Sequence, residues 1–557
     1  MEYIIVIVVL LALFAGFMLK GWFDEKRFYK RIAAKLSDEF GKTPKREYTA
    51  DDMVNIKKHF YRDPADHSID DITADDLSLE DVYKRMNYSQ STMGDTVLYK
   101  MLREPLTNAD KIKDRGRKIG WFYDNKEETS SLRFFFFKIG RMNKLSFFDC
   151  IDFFDTIGEN KCVKDYLCFI LAIVSVAVIF FSPMIGILLL ISTFAYNIVS
   201  YYKARFIIEP YVLTFTFINK FIKSAASLKD RKIDVISDEL STVGDLVEKL
   251  KPFTKRAGRI VNKSAQVGAG NPFEIIADYG KMLFHIDIIN FYKMLSFVKA
   301  NMELIEGLYN ELGLIEFYLD VAMYRASIDN FTEPLFDGEL TLENAYHPLI
   351  TDPVKNSITV KRGVLLTGSN ASGKSTFLKT VAINILFAQT IDTVLCDRYT
   401  GDLYSLFSSM SLRDNLEGDS YFMVEIKAIK RILDYAVSNK DKKIVCFVDE
   451  VLRGTNTVER ISASTEILKH FADLDVLCFA ATHDGELTFL LENSFDNYHF
   501  EEEILDNDVL FNYKLNSGRA TSRNAIKLLS VMGFEETIVN NASKRAEAFL
   551  EKGLWEA

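Results

Sequence analysis

Gly363-Val364-Leu365-Leu366-Thr367-Gly368-Ser369-Asn370-Ala371-Ser372-Gly373-Lys374-Ser375-Thr376 is the stretch from which the fold can be read. Its first five residues have strand character, the next eight have the spacing G-x-x-x-x-G-K-S, and Phe377 to Ala388 continues as a helix. A glycine-rich turn between a strand and a helix lets successive backbone N–H groups wrap phosphates, and the positive end of the helix faces the same anion. Lys374 is expected at the β- and γ-phosphates and the Ser375 hydroxyl on Mg²⁺. Gly368, Ser369, Asn370, Ala371, Ser372, Gly373 and Thr376 are expected to build the cradle.

Two downstream strands complete the chemistry. Lys443-Ile444-Val445-Cys446-Phe447-Val448 is an apolar run that ends in Asp449 and Glu450. In phosphate-loop enzymes such an acid holds Mg²⁺, a role that fits Asp449. Glu450, its neighbour, is placed to polarise the attacking water. A third run, Val476 to Ala481, leads into Thr482-His483. A histidine at that strand end is expected to contact the γ-phosphate. From about residue 335 onward, short β-branched runs alternate with helical segments, which is the pattern of an α/β domain.

These segments resemble, in order, the motifs of the MutS mismatch-repair ATPases, a branch of the ABC ATPases. Thr367 to Thr376 is similar to T-G-P-N-x-x-G-K-S-T, with Ser369 in place of the proline. Ala388-Gln389 followed by Val394 is similar to A-Q-x-G-x-x-V. Asp414 to Glu425 resembles D-D-L-x-x-G-x-S-T-F-M-x-E, with Tyr421 in place of the threonine. Asp449 to Thr455 resembles D-E-x-x-R-G-T, and Thr482 to Leu487 resembles T-H-x-x-E-L. Arg460 stands where a glycine is common. Tyr346-His347-Pro348 is similar to R-H-P, which implies that His347 lies toward the adenine. Upstream, Asp76 to Asn87, Thr92-Met93-Gly94, Leu98 to Leu106 and Arg115 look like the start of the family's helical core, and Leu304 to Arg325 resembles its lever helices. The resemblance implies a homodimer in which Ser420 faces the γ-phosphate held by the partner, with ATP and Mg²⁺ in composite sites. It also implies that Glu450, Lys374 and His483 are catalytic and that Ser375 and Asp449 hold the metal. No segment matches the family's F-x-E mismatch-reading module.

Outside these motifs the chain is unusual for the family. Of its 557 residues, 68 are Lys or Arg and 78 are Asp or Glu, giving a net charge of −10. That excludes a protein that grips nucleic acid with its whole surface. Yet the mean hydropathy is +0.02, so apolar residues must be concentrated locally. Tyr3 to Leu19 has no charge and is followed by Lys20, Lys26, Arg27, Lys30, Arg31 and Lys35. It reads as an anchor helix with its N-terminus outside and the following chain in the cytoplasm. A cleaved signal peptide is the competing reading, but only Glu2 precedes the apolar run, where a basic region is usual.

Tyr166 to Tyr202 is a second charge-free block, interrupted by Ser182-Pro183 and flanked by Lys161, Lys164, Lys203 and Arg205. As a single helix it would be about 55 Å long, against a bilayer core of about 30 Å. Two crossings in a tight hairpin fit, with both ends inside; a buried soluble hairpin is the alternative. Six cysteines without a C-x-x-C pair point to a reducing cytoplasm rather than to a disulfide framework or a zinc site. Lys249 to Lys263 is the candidate basic patch, although a solvated helix face explains it equally.

The expected architecture is therefore an α/β P-loop NTPase of the ABC/MutS type preceded by an all-α core and lever, with an N-terminal transmembrane helix and a transmembrane hairpin. The expected segments are an anchor at 1–22, a linker at 23–75 and core-like helices at 76–165. The hairpin at 166–202, a lever region at 203–334 and the ATPase at 335–557 follow. The expected function is a membrane-anchored ATPase, in the inner or cytoplasmic membrane, that engages DNA. An ATP-driven switch acting on the membrane or on a protein partner without DNA is the alternative. A transporter is a third reading, weakened by the absence of an L-S-G-G-Q signature.

Overall fold

The computed structural model describes residues 2–142, 146–156, 162–261, 280, 282–369, 372–410, 421–453, 455–505, 508–520, 526, 529 and 532–552. In chain order the helices of the first part are α1 (Glu2–Asp38), α2 (Ala50–Arg62), α3 (Asp71–Asp76), α4 (Leu79–Met86), α5 (Thr92–Arg103), α6 (Ala109–Asp124) and α7 (Lys126–Ile139). Next come α8 (Phe147–Thr156), α9 (Val163–Phe181), α10 (Pro183–Ala225), α11 (Ser237–Val261), α12 (Ile286–Ala300) and α13 (Met302–Ala326). The second part carries α14 (Lys374–Ile391), α15 (Tyr421–Ser438), α16 (Thr457–Asp473), α17 (Leu487–Leu490) and α18 (Glu536–Lys552) among its strands. The chain divides into two compact units, Met1–Asp63 with Asn87–Lys100 and Lys118–Met323, and Pro64–Met86 with Met101–Arg117 and Tyr324–Ala557.

The first unit is helical. Helix α1 runs through residue 22, where the anchor was expected to end, and continues to Asp38. The described side chains Ile5, Leu19, Trp22, Phe23 and Phe28 along it are exposed, and Leu36 near its end is buried. Helix α2 begins at a capping box in which Asp52 N–H donates to Thr49 Oγ1 at 3.2 Å and Thr49 N–H donates to Asp52 Oδ2 at 2.9 Å. The break expected at Ser182-Pro183 is present. Ser182 is extended at φ −146°, and Pro183 opens α10, where its missing N–H costs nothing. A Cβ on Gly186 would come within 2.5 Å of the Ile179 backbone, so glycine lets the two arms of this hairpin meet. Val163–Phe181 and Pro183–Phe206 are each long and apolar enough to cross a membrane, and only 22% of each apolar window is buried.

Below the hairpin, aromatic rings fill the core. Phe147 stacks on Tyr309 with centroids 4.4 Å apart, and Phe148 stacks on His59 at 4.5 Å. Burial pulls the His59 imidazole down to about 3, so it packs as a neutral ring. The segment around Thr92-Met93-Gly94 meets helix α13 here. Glu316 accepts hydrogen bonds from Gln90 N–H, from Ser91 N–H at 3.1 Å and from the Ser91 hydroxyl. Asp320 accepts from the Ser89 hydroxyl. A Cβ on Gly94 would lie 2.3 Å from Glu316 Oε2, so only glycine admits the carboxylate. Nearby Asp95 is clamped by Arg46 at 2.6 Å and Arg141 at 2.8 Å. The Lys249–Lys263 stretch lies at the end of α11, and Lys263 falls outside the described residues.

The second unit is α/β. An antiparallel sheet of order β2-β1-β4 joins β1 (Leu340–Ala345), β2 (Asn356–Val360) and β4 (Arg398–Thr400). The main sheet has the order β5-β6-β7-β3-β8-β9, from β5 (Tyr404–Ser409), β6 (Lys443–Asp449), β7 (Val476–Ala481), β3 (Gly363–Thr367), β8 (Phe495–Leu505) and β9 (Asp508–Ser517). All its neighbours are parallel except β8 and β9. Strand β3 is buried along its whole length, as a central parallel strand covered on both faces must be.

Residues 64–86 and 101–117 also pack in this unit, whereas the sequence had placed them in the linker and the helical core. The reason is polar. Ser408 Oγ donates to Asp76 Oδ2 at 2.6 Å, and Ser408 N–H donates to Thr73 Oγ1 at 3.1 Å. Thr73 and Asp76 thus cap the end of β5.

Candidate functional site

Strands β3, β6 and β7 are adjacent and parallel, so their C-terminal ends deliver the three motifs to one edge, where open α/β sheets hold ligands. Glu450 N–H donates to Ala481 O at 2.9 Å and Thr482 N–H donates to Leu366 O at 2.9 Å, which locks the strand ends together. The cleft there is about 630 Å³ and is lined by His347, Ser369, Ser372, Gly373, Lys374, Ser375, Thr376, Asp449 and Glu450 among others. Asn370, Ala371 and Ser420 lie outside the described residues.

The loop has the conformation its glycines permit. Gly368 has φ +145° and Gly373 has φ +106°, values that side chains rarely adopt. Lys374 is buried and its ammonium donates to Gly368 O and Ser369 O, both at 2.8 Å, so it turns back onto its own loop. Burial pulls its pKa down, and the carboxylates of Asp449, Glu450 and Glu502 oppose that shift. The Ser375 hydroxyl donates to Asp449. The Ser372 hydroxyl is buried and has no hydrogen-bond partner among the described residues. A buried polar atom left unpaired at the start of a helix fits an anionic ligand.

Glu450 sits at the centre. Its Oε1 lies 2.8 Å from His483 Nε2, and Oε2 is paired with Arg453. His483 Nε2 is also 3.4 Å from Lys374 Nζ. Burial first, and then the Lys374 ammonium, hold the His483 imidazole below its ordinary pKa, so a neutral ring is available to donate or accept. Glu450 and Leu452 both have φ +59°, a left-handed backbone that costs on the order of 1–3 kcal/mol for a residue with a side chain. Glu425 holds this turn in place, accepting from Leu452 N–H and from Arg453 N–H at 3.1 Å. Arg460, noted as a departure from the family pattern, makes a two-pronged pair with Asp484 at 2.8 and 2.6 Å next to His483.

His347 lines the same cleft from the far side. Burial first, and the Lys379 charge second, lower it to about 4. The cleft is also lined by Ile350, Pro353, Val354 and Tyr513, mostly apolar groups with one aromatic ring suited to a planar base. Tyr513 has φ +54°, and its carbonyl accepts from the Asn356 amide at 2.9 Å. The sequence reading passed over Tyr513 and Glu502, and held Arg453 only as a letter of the D-E-x-x-R-G-T motif, without a role. Their strand and turn look ordinary, and only the left-handed backbone, invisible in sequence, marks Tyr513.

Comparison with known proteins agrees with this geometry. The family described as MutS domain V matches residues 364–550. MutS protein homolog 4 of Mus musculus is 27% identical over 279 residues, covering 47% of this chain and 29% of that protein. DNA mismatch repair protein MutS of Thermotoga petrophila is 30% identical over 258 residues, covering 44% of this chain and 32% of its own length. The MutS of Finegoldia magna is 27% identical over 338 residues, covering 58% of this chain and 38% of its own. The chain thus spans about a third of the length of the curated relatives it matches. Residues 364–550, which carry Lys374, Asp449, Glu450 and His483, are thus similar to MutS domain V.

Proposed function

We propose that this protein is a membrane-anchored MutS-type ATPase that binds and hydrolyses ATP with Mg²⁺ as a homodimer and engages DNA. The observation that carries the reading is the convergence of Ser369, Ser372, Gly373, Lys374, Ser375, Asp449 and Glu450 in one cleft, with His483 set against Glu450 and Lys374. The loop N–H groups, the Ser372 hydroxyl and the start of α14 bind the phosphates. Lys374 leaves its own carbonyls to neutralise charge that grows on the transferring phosphoryl group. Glu450 accepts the proton of the attacking water, and neutral His483 hydrogen-bonds the γ-phosphate. Ser375 and Asp449 would hold Mg²⁺, which would supply further neutralisation of phosphate charge. Ser420 completes the site of the partner subunit across the dimer. His347 and Tyr513 flank the base.

The membrane part of the proposal rests on α9 and α10. Their apolar faces are largely uncovered by the chain, with Phe180 85% and Phe181 91% exposed at the hairpin tip. A soluble core hairpin buries such residues. Basic residues on both flanks support a cytoplasmic position for the two large polar segments.

The DNA reading is tested by titrating the full chain, purified in detergent, with duplex and branched DNA at several salt concentrations while following ATP hydrolysis. Binding that weakens steeply with salt, together with a changed hydrolysis rate, is the expected result. Absence of binding at low salt sinks the DNA reading and leaves the ATP-driven switch on a membrane or protein partner.

A further inference from the structure

Beside the phosphate loop lies an acid that the proposed hydrolysis does not use. The Ser369 hydroxyl donates to Glu502 Oε2 at 2.8 Å, across 133 residues of sequence. Glu502 stands on β8 directly after a bulge, where the register with β9 shifts between Phe500 and Glu502. A bulge re-aims the side chain that follows it, and such irregularities are used next to active sites. Phe500, before the bulge, supports Gly368 from below, since a Cβ there would lie 2.9 Å from Phe500 O. Strand β8 therefore supports the loop with Phe500 and places a carboxylate on its second residue. A proline at position 369, as in the family pattern, has no hydroxyl to make this bond.

We propose that Glu502 is a charge brake on the nucleotide site: tethered to the phosphate loop through Ser369, its carboxylate weakens ATP binding and so favours release. The inference rests on the ATP-binding reading above. The N–H groups, the helix start and Lys374 attract an anion, and the other carboxylates of the cleft, Asp449 and Glu450, have roles in the proposed hydrolysis. Glu502 is a fixed negative charge one hydrogen bond away, half-buried and so poorly screened. A like charge within a Debye length, on the order of 10 Å, weakens binding of a phosphate chain by roughly tenfold.

The test measures ATP·Mg²⁺ affinity of the full chain in detergent by equilibrium binding of a fluorescent ATP analogue and competition with ATP. Glu502→Gln removes the charge but keeps an oxygen that accepts from Ser369, so a merely structural role leaves the affinity unmoved. The expected result is about tenfold tighter binding. Ser369→Ala, which cuts the tether, is expected to tighten binding less and to shrink the effect of Glu502→Gln made on top of it. Unchanged or weaker binding by Glu502→Gln overturns the brake while leaving ATP binding standing. If neither the parent nor Glu502→Gln binds ATP although both melt cooperatively, the ATP-binding reading fails and the brake falls with it.

Discussion

Glu450→Gln is expected to lower the rate of ATP hydrolysis by about 10²–10⁴-fold, the usual contribution of a general base, while ATP still binds. The amide keeps the volume and the contacts of the carboxylate but cannot take a proton from water. Glu450 is the only carboxylate that touches both His483 and Arg453 among the described residues, and its left-handed backbone shows that the turn holds it there against strain. The variant is therefore expected to accumulate as a nucleotide-bound dimer. Single-turnover hydrolysis measures the rate, and light scattering in ATP measures the dimer. Hydrolysis at the parental rate would remove Glu450 from the role of base and leave Asp449, already paired with Ser375, as the remaining acid at this strand end.

The second large effect is on stability and concerns the other acids that the fold buries. Burial raises the Glu316 carboxyl to about 7 from 4.5, against the lowering effect of its bonds from Ser91 and Gln90; Asp95 raises it further and Arg141 lowers it. Asp320 is raised well above the ordinary range, by burial and then by Glu316, with Ser89 and Arg133 opposing. The native state therefore holds protons that the unfolded chain has released. Stability from Glu316 is fully present below about pH 4.5 and is lost as pH rises through about 7, and Asp320, raised from 3.8, acts in the same direction. Glu316→Gln mimics the protonated form, since its oxygen can accept from the backbone and its amide can donate to the Ser91 hydroxyl. Hydrogen exchange of the 305–320 segment is expected to slow in Glu316→Gln at pH 8 and to differ little from the parent at pH 5. Faster exchange in the variant at both pH values would contradict this account.

The parts of this molecule legible in sequence are those where a backbone requirement selects residue types. Gly368 and Gly373 must adopt left-handed φ, Pro183 must open a helix after a turn, and β3 must be apolar on both faces; each leaves a trace in the letters. Charge-free runs such as Tyr166–Tyr202 are legible for the same reason. What escaped was polar packing. Thr73, in the stretch expected to be a linker, and Asp76, at the start of the expected core, are partners of Ser408, and Glu316 and Asp320, in the stretch that resembles the lever helices, are buried. Glu502, one of three consecutive glutamates on β8, gave no sign that a bulge would turn it toward the phosphate loop. Polarity in sequence marks a group that needs a partner, and it does not say whether that partner is water, Ser408 or Ser369.

The claim that joins the two units is that one chain is both integral to a membrane and an ATPase. It is tested most directly by washing membranes that contain the full chain with alkaline carbonate and measuring ATP hydrolysis in the pellet, parent against Lys374→Ala. The account predicts that both proteins stay in the pellet and that only the parent hydrolyses ATP. Release of the parent into the supernatant, or a pellet activity that survives the loss of Lys374, would contradict it.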